Sequence, residues 1–199
     1  MALVSVLIDD RFRGGRALPA ALVPHGQWVH RLAATAVMAT AIAAVAVQQL
    51  HRTPWGLPGH RGIFWLSVLI ATRWCLDRPG TALRVAAGGS CVILFVDPTM
   101  GTHVLPYLAA AMLIDRLAEI PLVREHPWLM LPLAPVIHLV GVLSPFLHHL
   151  GGGSGLGTVL GGMWFYIRGH LLWGAGAGVV GMALGLAGRR LMDRSPSAH

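Results

Sequence analysis

The sequence predicts an all-α integral membrane bundle of six transmembrane helices, with both termini on the cytoplasmic side. Three observations predict it. The chain is 55% apolar and only 12% charged, with a mean hydropathy of +0.64. A soluble domain so poor in charge would expose large apolar patches and aggregate, and lipid as the solvent removes that conflict. The apolar residues fall in six runs, separated by turn-forming or charged segments. The arginines divide unevenly between alternate connections, which is the charge bias of membrane proteins.

The first 28 residues read as a cytoplasmic tail. Their apolar start is interrupted at once by Asp9 and Asp10, so the pattern of a cleaved signal is missing, and Leu3, Val6, Leu7 and Phe12 suit the membrane surface. The transmembrane domain is expected over residues 29–191, and residues 192–199 read as a second cytoplasmic tail. The first span is 32–50, whose polar side chains are Thr35, Thr40, Gln48 and Gln49; as a helix it is about 28 Å long, matching a hydrocarbon core. The Pro- and Gly-rich loop 51–62 ends it. Spans two and three are 63–76 and 81–96, joined by the turn Asp77-Arg78-Pro79-Gly80, with Arg73 and Arg84 placed to reach the interface. After a second turn, Asp97 to Gly101, residues 102–114 lead the fourth span, which ends at Asp115 and Arg116. The fifth span is 127–147, with His138 as its ionisable side chain before His148 and His149. A Gly-rich outer loop, 151–155, precedes the aromatic segment 163–170, read as an interfacial belt, and the uncharged sixth span, 171–188.

In this arrangement the inner segments hold Arg11, Arg13, Arg16, Arg31, Arg73, Arg78, Arg84, Arg116, Arg124, Arg189, Arg190 and Arg194, and the outer ones only Arg52, Arg61 and Arg168. The split is that of a protein with an even number of spans and both ends inside.

Charge and motif content narrow the function. The formal net charge is +7, all of its basic residues being Arg, but no basic stripe carries interleaved aromatics, so nucleic acid is not the expected partner. Cys75 and Cys91 form no Cys-x-x-Cys pair and read as buried small residues. The 11 His residues include no pair at the helical spacing of a metal site, so no metal and no other cofactor is expected. Gly152-Gly153-Ser154-Gly155 matches the Gly-x-Ser-Gly of rhomboid peptidases, but the His-rich catalytic segment of that family is missing and a flexible loop explains the match. With no Lys there is no nucleotide-binding Gly-Lys-Ser/Thr loop. No catalytic residues are assigned.

What remains is a candidate binding site. His138 lies near the middle of the fifth span, about 15 Å deep, where an ionisable group is a functional candidate by default. His149 falls on the same helical face. Arg168 and His170 follow at the outer end of the last helix, with Trp164 and Tyr166 as a stacking wall, and Arg52, Trp55 and Arg61 of the first outer loop as a cover. Small residues four apart occur in two helices: Gly174/Gly178 and Ala177/Gly181/Gly185 in the last, read as internal packing, and Thr35/Ala39/Ala43 in the first, read as a docking stripe for another membrane subunit.

Six short spans, both ends inside and an Ala-rich first helix resemble the S components of energy-coupling-factor (ECF) transporters. So do LPYLAAAMLIDRL (105–117), APVIHLVGVL (134–143) and GHLLWGAGAGVVGMALG (169–185). The resemblance covers most of residues 29–191. It implies a substrate-capture subunit in the plasma (inner) membrane, holding a vitamin-like small molecule at the outer face, docked through Thr35, Ala39 and Ala43 onto a membrane T subunit served by two ATPase subunits. No chemistry is implied in the chain itself. The N-terminal Met-His of the metal-specific members is missing, which argues against cobalt or nickel. Two other readings compete: a small intramembrane enzyme or redox protein using the histidines, and a structural subunit of a membrane complex.

Overall fold

The computed structural model describes residues 25–51, 57–142 and 156–194. Every regular element among them is helical: α1 His25–Leu50, α2 Gly62–Leu76, α3 Thr81–Val96, α4 Gly101–Glu119, α5 Pro121–Glu125, α6 Met130–His138 and α7 Leu156–Arg194, with 3₁₀ turns at Pro98–Met100, Pro127–Leu129 and Leu139–Val142. Two helices, over Trp28–Leu50 and Gly162–Arg194, are long and apolar enough to cross a membrane. Gly62–Leu76, Thr81–Val96 and Pro127–Val142 are apolar but shorter.

The turns follow the chemistry of their residues. Asp77 closes α2 in the left-handed region (φ 44°), its N–H donating to the carbonyl of Arg73, and Gly80 starts α3 at φ 72°. Asp is one of the few side chains that tolerate this backbone, and Gly has no Cβ to clash. The Asp97 carboxylate accepts from the Thr99 backbone N–H and hydroxyl, opening the Pro98 turn.

Two spans differ from expectation. The aromatic segment 163–170 does not flank a final helix; α7 runs through it unbroken for 39 residues. None of them is Pro, and the glycines from Gly169 to Gly188, which would weaken a free helix, are here packed against neighbours. The expected fifth span is helical over Pro127–Val142 but changes helix type along it. Pro127 starts a 3₁₀ turn, α6 is only 9 residues long, and a second 3₁₀ turn follows His138; Pro135 inside α6 has no N–H to give the ladder. Residues 143–147 lie outside the described ones. At the ends, α1 begins before residue 32 and α4 runs past Asp115 to Glu119.

The core is built on α2, most of which is buried, including Trp65, Leu66, Leu69, Ile70 and Trp74. Its main partner is α7, which also packs along α6. The contact is close because α7 presents glycine. A Cβ on Gly181 would stand 2.8 Å from the Ile70 Cβ, and one on Gly185 2.8 Å from the Trp74 Cβ. A Cβ on Gly178 would meet Ala134 of α6 at 2.9 Å. The Ser67 hydroxyl binds the carbonyl of Ile63 and reaches that of Ala177 across the gap at 3.2 Å. On the other side, α1 lays Ile42 and Val45 onto Gly88 and Gly89 of α3.

Candidate functional site

At one end of the bundle a cavity of about 680 Å³ opens between the loop before α2, the start of α4, the end of α6 and the first half of α7. Its floor is a run of rings. Tyr107 meets Trp65 edge-on with centroids 4.7 Å apart, Trp65 meets His138 at 5.5 Å, and His138 meets His170 at 4.7 Å. The first two contacts are edge-to-face, which is favourable at these separations and holds the rings in orientation, and the two imidazoles are tilted by 38°.

Two carbonyls fix the imidazoles. His138 Nδ1 lies 2.8 Å from the His170 carbonyl oxygen, and His170 Nδ1 lies 2.8 Å from that of Tyr166. A carbonyl only accepts, so each Nδ1 carries its proton and donates; in the neutral ring each Nε2 is then an acceptor. Both rings are almost out of solvent, His138 at 2% and His170 at 7% exposure. Glycine makes room for them. A Cβ on Gly62 would overlap the His138 ring, and one on Gly141 would lie 3.0 Å from His170 Nε2. Gly59, at φ 78°, brings the loop against the backbone of His170. His60, held by the Leu57 carbonyl through Nδ1, completes the wall together with Arg61, His103 and Tyr166. Among the described residues this lining holds one guanidinium and no carboxylate. It therefore suits a neutral or anionic molecule with a planar ring and some donors.

No protein-family model, curated protein or solved structure matches this chain.

Of the residues expected from the sequence, His138, Tyr166, His170 and Arg61 come together in this cavity. Trp164 and Arg168 do not. Both are exposed, and the Arg168 guanidinium sits 4.5 Å over the Trp164 ring on the outside of α7. Arg52, Trp55 and His149 lie outside the described residues. Thr35, Ala39 and Ala43 share an exposed face of α1, while Ala34, Ala41 and Val45 face inward. Sequence reasoning missed Trp65, Tyr107, His60 and His103. Spacing was the signal that could have found two of them, because Arg61 and Trp65, like His103 and Tyr107, are four apart and stack along one helix face.

The opposite end of the bundle is ionic. Arg73 is buried, with its Nη1 3.2 Å from Asp77 Oδ1. Its Nε lies 3.2 Å from Asp115 Oδ1, close enough for an ion pair but without hydrogen-bond alignment. The Asp115 carboxylate accepts from the backbone N–H groups of Ala82 and Leu83 in the first turn of α3. Arg189 at the end of α7 reaches Asp77 Oδ2 at 3.1 Å. This ladder ties α2, α3, α4 and α7 together at one level.

Proposed function

We propose that the chain is a multi-pass protein of the plasma (inner) membrane, with six spans and both ends inside. On this reading it is the substrate-binding subunit of an ECF-type importer. It captures a vitamin-like small molecule in the ring-floored cavity at the outer face and passes it to a T subunit driven by two ATPases.

Membrane embedding is supported by the apolar surface of the helices. Phe95 is 91% exposed, Leu172 70%, Leu32 66% and Val47 63%, and further large apolar side chains stand outward on α4 and α6. Water would penalise so much scattered apolar area, and acyl chains do not. Capture at the outer face is carried by one observation: the ring-floored cavity opens at the end of the bundle opposite the cluster of Arg73, Arg78, Arg84, Arg124 and Arg189. Under the positive-inside bias, the arginine-rich end is cytoplasmic. The outward-facing stripe Thr35, Ala39 and Ala43 supports docking on a membrane partner, since small residues allow close backbone approach.

The test is native mass spectrometry of the membrane-extracted protein, followed by titration of whatever small molecule it retains. Arg61→Gln and His170→Ala, checked for folding by thermal melt, are each expected to weaken capture about tenfold, the loss of one charge-assisted or buried hydrogen bond. Arg168→Ala, on the outer side of α7, is expected to change it less than about threefold. The opposite ranking, or a protein that alkaline carbonate strips from the membrane, overturns the reading.

A further inference from the structure

A second cavity, of about 400 Å³, lies at the ionic end between the start of α1 and the α2–α3 turn. Arg31, Arg78 and Arg84 line it, with Thr35 and Thr81, and among the described residues no carboxylate does. None of the three guanidiniums has an ion pair among the described residues, unlike Arg73, Arg116 and Arg189. Two carboxylates at this end of the bundle are committed elsewhere: Asp77 to Arg73 and Arg189, and Asp115 to Arg73 and the first turn of α3. The hydroxyls of Thr35 and Thr81 bind the carbonyls of Arg31 and Arg78, so each braces the backbone of an arginine that lines the cavity. Three like charges converging on one hollow repel one another, and an anion between them relieves that repulsion. Guanidinium forks fit phosphate oxygens in particular. The remaining wall is apolar, made by Ala34, Met38 and Leu76.

We propose that this cavity holds the phosphate of an anionic lipid of the cytoplasmic leaflet, its acyl chain lying along the outer face of α1. The proposal rests on the membrane reading above. The apolar wall favours a lipid over free phosphate, because only the lipid has a chain to lay against it. A bound lipid there would fill the space between α1 and the α2–α3 turn, next to the docking stripe at Thr35.

Native mass spectrometry of the detergent-extracted full chain tests it, with phosphatidylglycerol, phosphatidylcholine and inorganic phosphate added in separate titrations. Each basic residue beside an anionic membrane surface is worth about a fivefold preference. The parent protein is expected to bind one phosphatidylglycerol at least tenfold more tightly than phosphatidylcholine. The triple variant Arg31→Gln/Arg78→Gln/Arg84→Gln is expected to lose that preference. A control at the same end, Arg116→Gln/Arg124→Gln/Arg190→Gln, removes equal charge and is expected to keep it within about threefold. If the cavity triple does not fold, Arg84→Gln alone carries the test, with an expected loss of about fivefold. An equal loss in both triples, no preference in the parent, or inorganic phosphate displacing the lipid at equal concentration overturns the proposal. So does loss of a co-purifying membrane protein from the cavity triple with lipid binding unchanged, because the arginines then serve a protein carboxylate. All of these arms use protein extracted from membranes, so they fail separately from the membrane reading, which carbonate extraction decides.

Discussion

Asp115 serves two partners at once. Its carboxylate satisfies two N–H groups that begin α3 and faces the buried Arg73 guanidinium. Removing it leaves Arg73 buried with only the half-exposed Asp77 to balance it. Truncating one partner of a buried pair costs about 3–5 kcal/mol, so Asp115→Ala is expected to lower the detergent melting temperature sharply. Asp115→Asn keeps an acceptor for one N–H and is expected to lose less; equal melting of both variants and the parent would show that the ladder contributes nothing. Some of this was legible in the sequence. His138 stood out because it is the lone ionisable group in an apolar run. Arg168 was drawn into the site because it neighbours His170 in sequence. Two residues along a helix is about 200° of rotation, so when one faces the cavity the other faces out. Trp65 and Tyr107 were passed over for the opposite reason: an aromatic within an apolar run looks like any other core residue unless its four-residue spacing from Arg61 or His103 is read. The Arg73–Asp115 contact joins separate helices and leaves no spacing to read.

At the scale of elements, small residues do two different jobs, and the sequence pattern alone does not tell them apart. The α7 glycines from Gly174 to Gly188 lie against α2 and α6, whereas Ala39 and Ala43 of α1 look away from the bundle and Thr35, also exposed, borders the arginine-lined cavity. Gly181→Val would push into Ile70 and the Ser67 carbonyl, and overpacking of this kind costs about 1–3 kcal/mol. Gly176→Ala places its Cβ at ordinary contact, 3.4 Å from Ile63, and should be neutral or stabilising by up to about 1 kcal/mol, the helix-propensity gain over Gly. Ala39→Leu/Ala43→Leu should melt with the parent and yet lose co-purification with a T subunit. A double variant that unfolds would return the stripe to internal packing. The helix boundaries were legible where Pro, Gly and Asp made turns, as at Asp77 to Gly80. They were missed at the start of α7, because the aromatic segment with Arg168 and His170 reads as an interfacial belt that ends the uncharged run, although the helix extends through it to Leu156. They were missed again after Pro127, where hydropathy stays high although the backbone changes to 3₁₀ turns.

At the scale of the whole molecule, the contacts restrict the topology independently of hydropathy. The end of α7 is bonded to the α2–α3 turn through Arg189 and Asp77, so these two points must lie on one side of a membrane. Pro58, before α2, lies against Gly169 in the first half of α7, so those two share the other end. With 39 residues, α7 is about 58 Å long, roughly twice a hydrocarbon core. On the proposed topology its arginine-rich end, tied to the α2–α3 turn, sits at the cytoplasmic interface, so the excess length has to project from the opposite face or be taken up by tilt. Reporter fusions after Arg194 and after Asp77 are therefore expected to read cytoplasmic together, and fusions within residues 151–155 to read external. A split between Arg194 and Asp77 would break the observed packing itself. A cytoplasmic signal from 151–155 with both others cytoplasmic would leave the packing intact but remove the crossing by α7, and with it the external opening on which capture at the outer face depends.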